Sequence, residues 1–141
     1  MTIVVAYTPC PEGKAALSHG IGLAESQGEA LLVINASAGT AYVDSSLATE
    51  DDAAEVRAHL ESLAVPATSK QLIRGKDAAE EIIDLTDEIN PSLIVVGLHK
   101  RSAVGKLILG STARRILLGV ECPVLSVRSP RGRQHETRSA D

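Results

Sequence analysis

The chain has almost no aromatic residues: its 141 residues include no tryptophan, no phenylalanine and only two tyrosines, Tyr7 and Tyr42. The core must therefore consist of Ala, Val, Ile and Leu, which suits aliphatic strands packed under helices rich in small residues. Base-stacking aromatics are missing, and 18 acidic residues outnumber 14 basic ones. This composition argues against a nucleic-acid-binding protein and favours a small-molecule ligand.

Cysteines and long apolar runs are also scarce. Cys10 and Cys122 form neither a CxxC pair nor a zinc-binding spacing, so we expect reduced thiols in a cytoplasmic protein. We interpret Cys122 as a small apolar residue, whereas Cys10 follows the first strand and keeps a ligand-edge or redox role open. No segment is long enough and apolar enough to cross a membrane, so we expect no membrane association.

Short apolar segments alternate with segments of helical periodicity. The predicted strands cover residues 3–7, 30–35, 69–73, 93–96 and 123–127, and the predicted helices cover residues 11–27, 48–64, 77–89 and 111–119. This alternation predicts an α/β fold, a single doubly wound, five-stranded parallel sheet with four helices, Rossmann-like in class. One domain occupies residues 1–128, and the polar segment 129–141 is predicted to be a disordered tail.

The segment 97–112 has the chemistry of an anion-binding loop. Gly97 allows close approach of the backbone, and the free N–H groups at the start of the following helix, with the Ser111 and Thr112 hydroxyls, can bind phosphate oxygens. Lys100 adds positive charge. The alternative is an ordinary surface loop that ends in a capped helix. If the first and fourth strands are neighbours, this loop lies beside Thr8, where winding of the sheet reverses.

Three segments together resemble the universal stress protein family: residues 3–12, the Gly97 loop and the ending at 122–125. The resemblance covers residues 2–128. It implies the strand order 3-2-1-4-5, a homodimer formed through the last strand and, in one branch of the family, ATP binding through the pattern Gly-x2-Gly-x9-Gly-Ser/Thr. This chain matches the pattern at Gly97, Gly110 and Ser111.

The resemblance also implies the residues of the site. The adenine and ribose would contact Ala6, Thr8, Asn35 and Val96, and the phosphates of ATP, with or without Mg²⁺, would contact Gly97, His99, Gly110, Ser111 and Thr112. The chain departs from the pattern at two positions. Lys100 replaces the middle glycine and offers charge in place of close backbone approach. Thr8 replaces the acidic residue that follows the first strand.

Three functional hypotheses follow. The first is a stress-response protein that senses or sequesters ATP without turning it over, because no nucleophile, base and oxyanion set is present and the chain is therefore not predicted to be an enzyme. The second is a homodimeric scaffold that acts through partners after its nucleotide site has decayed. The third is a slow ATPase or phosphotransferase that uses Ser111 or His99. Under each hypothesis we predict a homodimer. Its interface is an edge strand that pairs with the same strand of a second copy of the chain and contains Val124, Leu125 and Val127.

Overall fold

The computed structural model describes residues 1–37, 50–73, 78–100, 107–108 and 111–128. The strands are β1 (Thr2–Ala6), β2 (Ala30–Ser37), β3 (Ala67–Ile73), β4 (Leu93–Lys100), β5 (Leu107–Ile108) and β6 (Val124–Arg128). The helices are α1 (Pro11–Gln27), α2 (Glu50–Glu61), α3 (Ala78–Ile89) and α4 (Ser111–Gly119). The predicted order of elements is confirmed, and the two-residue β5 is an addition.

The five long strands form one parallel sheet in the order β3-β2-β1-β4-β6. Counted along the parallel strands, this is the predicted order 3-2-1-4-5. β1 is central, and the side chains of Ile3, Val4 and Val5 are almost fully buried, as their continuous apolar run predicts. β3 lies at the edge next to β2, which agrees with its more polar sequence.

The prediction that the fourth strand ends at Val96 was wrong. β4 continues to Lys100, and its last two residues pair in antiparallel register with β5, His99 with Ile108 and Lys100 with Leu107. The extension is held by backbone hydrogen bonds, which any residue type can make. The extension has the sequence Gly-Leu-His-Lys, which shows no strand periodicity and therefore predicts a loop.

Helices cover both faces of the sheet, so the doubly wound class is confirmed. On one side, the α1/α2 face, Val5 and Val33 pack with Ile21 of α1 and Leu60 of α2. On the other side, the α3/α4 face, the sheet packs with residues of α3 and α4. This second cluster comprises Val4, Leu32, Ile34, Ile94, Val96, Ala79, Ile82, Ala113 and Ile116. Apart from Tyr7, both clusters are aliphatic, as the composition requires.

The ends of two helices follow from local chemistry. α1 begins with Pro11, whose missing N–H costs nothing there, and ends at Gly28, which has a left-handed φ of 68° and donates its N–H to the Ala24 carbonyl. α3 ends where Asn90 adopts a φ of 54° and donates its N–H to the Thr86 carbonyl oxygen at 2.8 Å, just before Pro91. The sequence predicts both helix ends, one from Gly28 and the other from Asn90 and Pro91.

Some predicted features lie outside the described residues. They are most of the loop between β2 and α2, the Asp77 cap of α3, Gly110, and the segment 129–141 that was predicted to be a tail. Within the described ranges, no helix combines the length and the apolar character that crossing a membrane requires.

Candidate nucleotide site

The candidate site lies at the carboxyl ends of β1 and β4, where winding of the sheet reverses. These strands are neighbours, and Ala6 pairs in register with Val96. Both side chains belong to the α3/α4 face, Val96 as a buried member of its cluster and Ala6 as a half-buried residue packed against it. The predicted meeting of the first and fourth strands is therefore confirmed, and small and aliphatic side chains lie where the two strands end.

Gly97 has a function in the fold that requires no ligand. A Cβ atom at this position would lie 2.5 Å from the carbonyl oxygen of Glu12 and 2.7 Å from its carbonyl carbon. Only glycine therefore lets β4 pass directly against the first turn of α1. Gly13, the residue after Glu12, also allows close packing of the backbone, since a Cβ atom at this position would lie 1.9 Å from the Thr8 carbonyl oxygen. The two glycines together hold the start of α1 against β4 and the turn after β1.

Thr8 and Cys10 connect β1 to this helix start. The Thr8 Oγ1 and Cys10 Sγ atoms are 3.0 Å apart, and the Cys10 N–H donates to the Thr8 carbonyl oxygen at 2.8 Å. Burial, followed by a hydrogen bond with Glu12, raises the pKa of the Cys10 thiol. The thiol therefore stays protonated at neutral pH, which argues against a reactive thiolate. The Thr8 hydroxyl, which was predicted to contact a ligand, already lies within hydrogen-bond distance of the Cys10 thiol.

Asn35 lies on the opposite face of the sheet from Ala6 and Val96. It is 5% exposed, and side chains alternate along β2 so that it shares the α1/α2 face with Val33. Its Nδ2 donates to the Tyr7 carbonyl oxygen at 2.9 Å, and its Oδ1 accepts a hydrogen bond from Gln71 Nε2 at 3.2 Å. The structure therefore divides the predicted adenine-contacting residues between two faces. Alternation along the strand was the sequence signal that could have shown this.

The predicted phosphate end is described in its backbone alone. His99 and Lys100 are the last residues of β4, and Ser111 is the first residue of α4, as predicted. β4 ends and α4 begins at the same edge of the sheet, so the N–H groups of the first turn of α4, which lack partners within the helix, lie at that edge. Among the described residues, no group of three or more His, Cys, Asp or Glu side chains is placed to hold a metal ion.

Comparison with known proteins shows to which family the chain belongs. A model of the universal stress protein family matches residues 1–128. The chain belongs to the universal stress protein family. It is 45% identical to a universal stress protein of Mycolicibacterium smegmatis over 89% of this chain and 96% of the relative. It is 33% identical to one from Thermus aquaticus, over 90% and 98%.

Solved structures of the family share this fold. A universal stress protein from Archaeoglobus fulgidus is 26% identical, with a TM-score of 0.66 over 89% of this chain and 96% of that one. Two more distant structures contain nucleotides. One is an Archaeoglobus fulgidus protein in complex with dAMP, at 20% identity and a TM-score of 0.59. The other is an Arabidopsis thaliana protein with AMP bound, at 14% identity and a TM-score of 0.62.

Proposed function

We propose that this universal stress protein binds an adenine nucleotide, ATP in the first instance, and senses or sequesters it without turning it over. The observation that carries the proposal is the register pair Ala6–Val96, at the edge of the sheet where α4 also begins. A nucleotide lying there has aliphatic contacts for its base and helix N–H groups for its phosphates. The dAMP and AMP complexes of family members support the same class of ligand.

In this proposal, Ala6, Thr8 and Val96 contact the base and ribose. The phosphates contact Gly97, His99, Lys100, Gly110, Ser111 and Thr112, and any Mg²⁺ arrives with the nucleotide. Asn35 affects nucleotide binding indirectly, because its side-chain amide donates a hydrogen bond to the Tyr7 carbonyl oxygen and thereby positions the turn that begins at Thr8. The ammonium group of Lys100 supplies charge where the family pattern has a glycine.

A thermal-shift titration with ATP, and with AMP for comparison, tests the proposal. Binding to the folded state raises the melting temperature by mass action, by an amount that grows with ligand concentration. Ala6→Leu should abolish the shift because the larger side chain fills the crevice on the α3/α4 face. Ala53→Leu is the matched control, since Ala53 lies on α2 on the other side of the sheet. No shift at millimolar nucleotide would refute the proposal.

A second function is favoured by two observations at the same site. The Thr8 hydroxyl already contacts Cys10, and Gly97 is explained by its packing against Glu12. A scaffold that acts through protein partners, with a decayed nucleotide site, accounts for both and for Lys100. Under this hypothesis the natural chain does not bind ATP, and the double variant Thr8→Asp, Lys100→Gly does. Equal binding by the two chains would remove the scaffold hypothesis.

For either function we propose a homodimer formed through β6. Among the described strands, β6 pairs with β4 alone, so its other edge offers free backbone groups. Val124 and Leu125 are half-buried, whereas the Val127 side chain is 5% exposed and belongs to the core. The edge would therefore pair through its backbone and the first two side chains. Leu125→Pro should give a monomer by light scattering, and an unchanged dimer mass would exclude this interface.

A further inference from the structure

Gln71 is the outermost of three residues that lie side by side across the α1/α2 face. Tyr7 directly follows β1, and its N–H donates to the Ile34 carbonyl oxygen at 2.8 Å, which places Tyr7 beside Asn35 of β2. Asn35 pairs in register with Gln71 of β3, the strand at the edge of the sheet. All three residues line one small pocket of about 90 Å³ between α2 and the ends of β2 and β3.

Two hydrogen bonds connect these residues, and we call them the amide relay. Gln71 Nε2 donates to Asn35 Oδ1 at 3.2 Å, and Asn35 Nδ2 donates to the Tyr7 carbonyl oxygen at 2.9 Å. A carbonyl oxygen can only accept, so Asn35 must turn its NH₂ group toward Tyr7. Its Oδ1 atom then faces Gln71, which must act as the donor. The direction of the relay is therefore fixed by the Tyr7 carbonyl.

The amide relay runs from the surface into the core. Gln71 is exposed, whereas Asn35 and Tyr7 are buried. Hydrogen bonds are stronger in a buried environment of low dielectric constant, and linked amides polarise one another. Gln71 thus helps to hold the orientation of a buried amide. Removal of its donor should loosen that orientation while leaving the packing of the core intact.

The inner end of the relay is one peptide bond from the proposed nucleotide site. The Tyr7 carbonyl and the Thr8 N–H belong to the same planar peptide, so a group that holds one also holds the other. On its other side, the Thr8 carbonyl oxygen accepts the Cys10 N–H at 2.8 Å, and a Cβ atom on Gly13 would lie 1.9 Å from it. The relay therefore sets the peptide through which β1 enters this close-packed turn.

We propose that Gln71 is a positioning residue of the nucleotide site, which acts through Asn35 on the Tyr7–Thr8 peptide. The effect on affinity rests on the proposed nucleotide function. Gln71 lies on the face opposite Ala6 and Val96, so it acts without touching a nucleotide in their crevice. An exposed residue of the edge strand thereby influences a site two strands away.

Gln71→Met tests the proposal because it keeps the length of the side chain and removes the donor. By calorimetry, we expect the affinity for ATP to fall about three- to tenfold, as loss of one hydrogen bond implies. Ser69→Ala is the matched control, since Ser69 lies two residues earlier on the same face of β3 and lines the same pocket. It should bind ATP as the parent does. Equal weakening in both variants would overturn the proposal.

A double-mutant cycle tests the route through Asn35. In an Asn35→Ala background the relay is already broken, so Gln71→Met should cause no further loss of ATP affinity. Additive losses would show that Gln71 acts on the site without Asn35, and they would overturn the proposal.

A second measurement needs no nucleotide and no change in the core. In an amide NMR spectrum of the ligand-free protein, the Thr8 signal responds to the hydrogen bond at the Tyr7 carbonyl of the same peptide. Gln71→Met should move this signal, and Ser69→Ala should leave it in place.

The NMR measurement also separates this inference from the proposed function. If the parent binds no nucleotide, the nucleotide proposal fails, and the Thr8 signal alone decides whether Gln71 positions the peptide. An unchanged Thr8 signal in Gln71→Met would overturn the inference. Unchanged ATP affinity of this variant, in a parent that binds ATP, would also overturn it.

Discussion

Replacing Gly97 by alanine should destabilise the protein whether or not a nucleotide binds. Among the described glycines only Gly28 has a positive φ, so the backbone at Gly97 is open to alanine and the cost is purely steric. The new Cβ would meet the Glu12 carbonyl oxygen at 2.5 Å and its carbonyl carbon at 2.7 Å. Those are backbone atoms in the first turn of α1, and they can move only if the helix moves.

Overpacking of this kind costs about 1 to 3 kcal/mol, and the upper half of that range applies because the neighbour is backbone. For a domain of this size, we expect the melting temperature to fall by roughly 7 to 11 °C. The measurement is thermal unfolding by circular dichroism without nucleotide. If Gly97→Ala kept the parent's stability and lost ATP binding, Gly97 would be a ligand residue and the steric argument would be wrong.

Gly22→Ala is the matched control, since it makes the same chemical change in an open position. Gly22 lies on the exposed side of α1, and a Cβ there would meet no atom within 4 Å. Alanine is a better helix former than glycine, so this variant should be more stable by about 0.5 to 1 kcal/mol. A loss of stability at Gly22 comparable to that at Gly97 would show that the packing against Glu12 is not the cause.

Three further predictions concern buried and half-buried polar groups. Asn35→Ala leaves the buried Tyr7 carbonyl without its 2.9 Å partner and should cost about 1 to 3 kcal/mol in urea unfolding; an unchanged midpoint would contradict this. Glu81 is 6% exposed, and its Oε1 has no hydrogen-bond partner among the described residues, so Glu81→Met should raise the urea midpoint. A lower midpoint would show that the carboxylate has a stabilising contact. The pKa of the Cys10 thiol is raised in the folded protein, so the unfolded chain loses the thiol proton at a lower pH than the folded chain does. The free energy of unfolding should therefore fall as the pH rises above 9.0, the ordinary pKa of a cysteine thiol, and it should fall less in Cys10→Ala.

Much of the fold was predictable because its signals are local. The aliphatic run at the start of β1 indicates burial on both faces, and Pro11, Gly28 and Asn90 mark helix boundaries through backbone chemistry that depends on one or two residues. The exceptions arise where the chain makes structure without a side-chain pattern. The end of β4 pairs with β5, a strand of two residues, and segments this short have no periodicity that could predict them.

The candidate site was predictable in its location and less so in its composition. Strand order placed the ends of β1 and β4 together, and Ser111 does begin α4. Asn35 was expected to contact the adenine or ribose together with Ala6; its side chain lies on the α1/α2 face, where it binds the Tyr7 carbonyl and Gln71. A small pocket between α2 and the ends of β2 and β3 was not predicted, because Tyr7, Val56 and Gln71 share no motif and come together only through packing of α2 on the sheet.

By itself, the sequence determined the aliphatic core, the alternation of strands and helices, and the family, because these depend on composition, short-range periodicity and residues near one another in the chain. Only the tertiary structure decided what Gly97 packs against and which residues the Asn35 side chain binds. Gly97 contacts a residue 85 positions earlier, and Asn35 bonds residues 28 and 36 positions away. Contacts at that separation depend on how the sheet is wound, which no local pattern encodes.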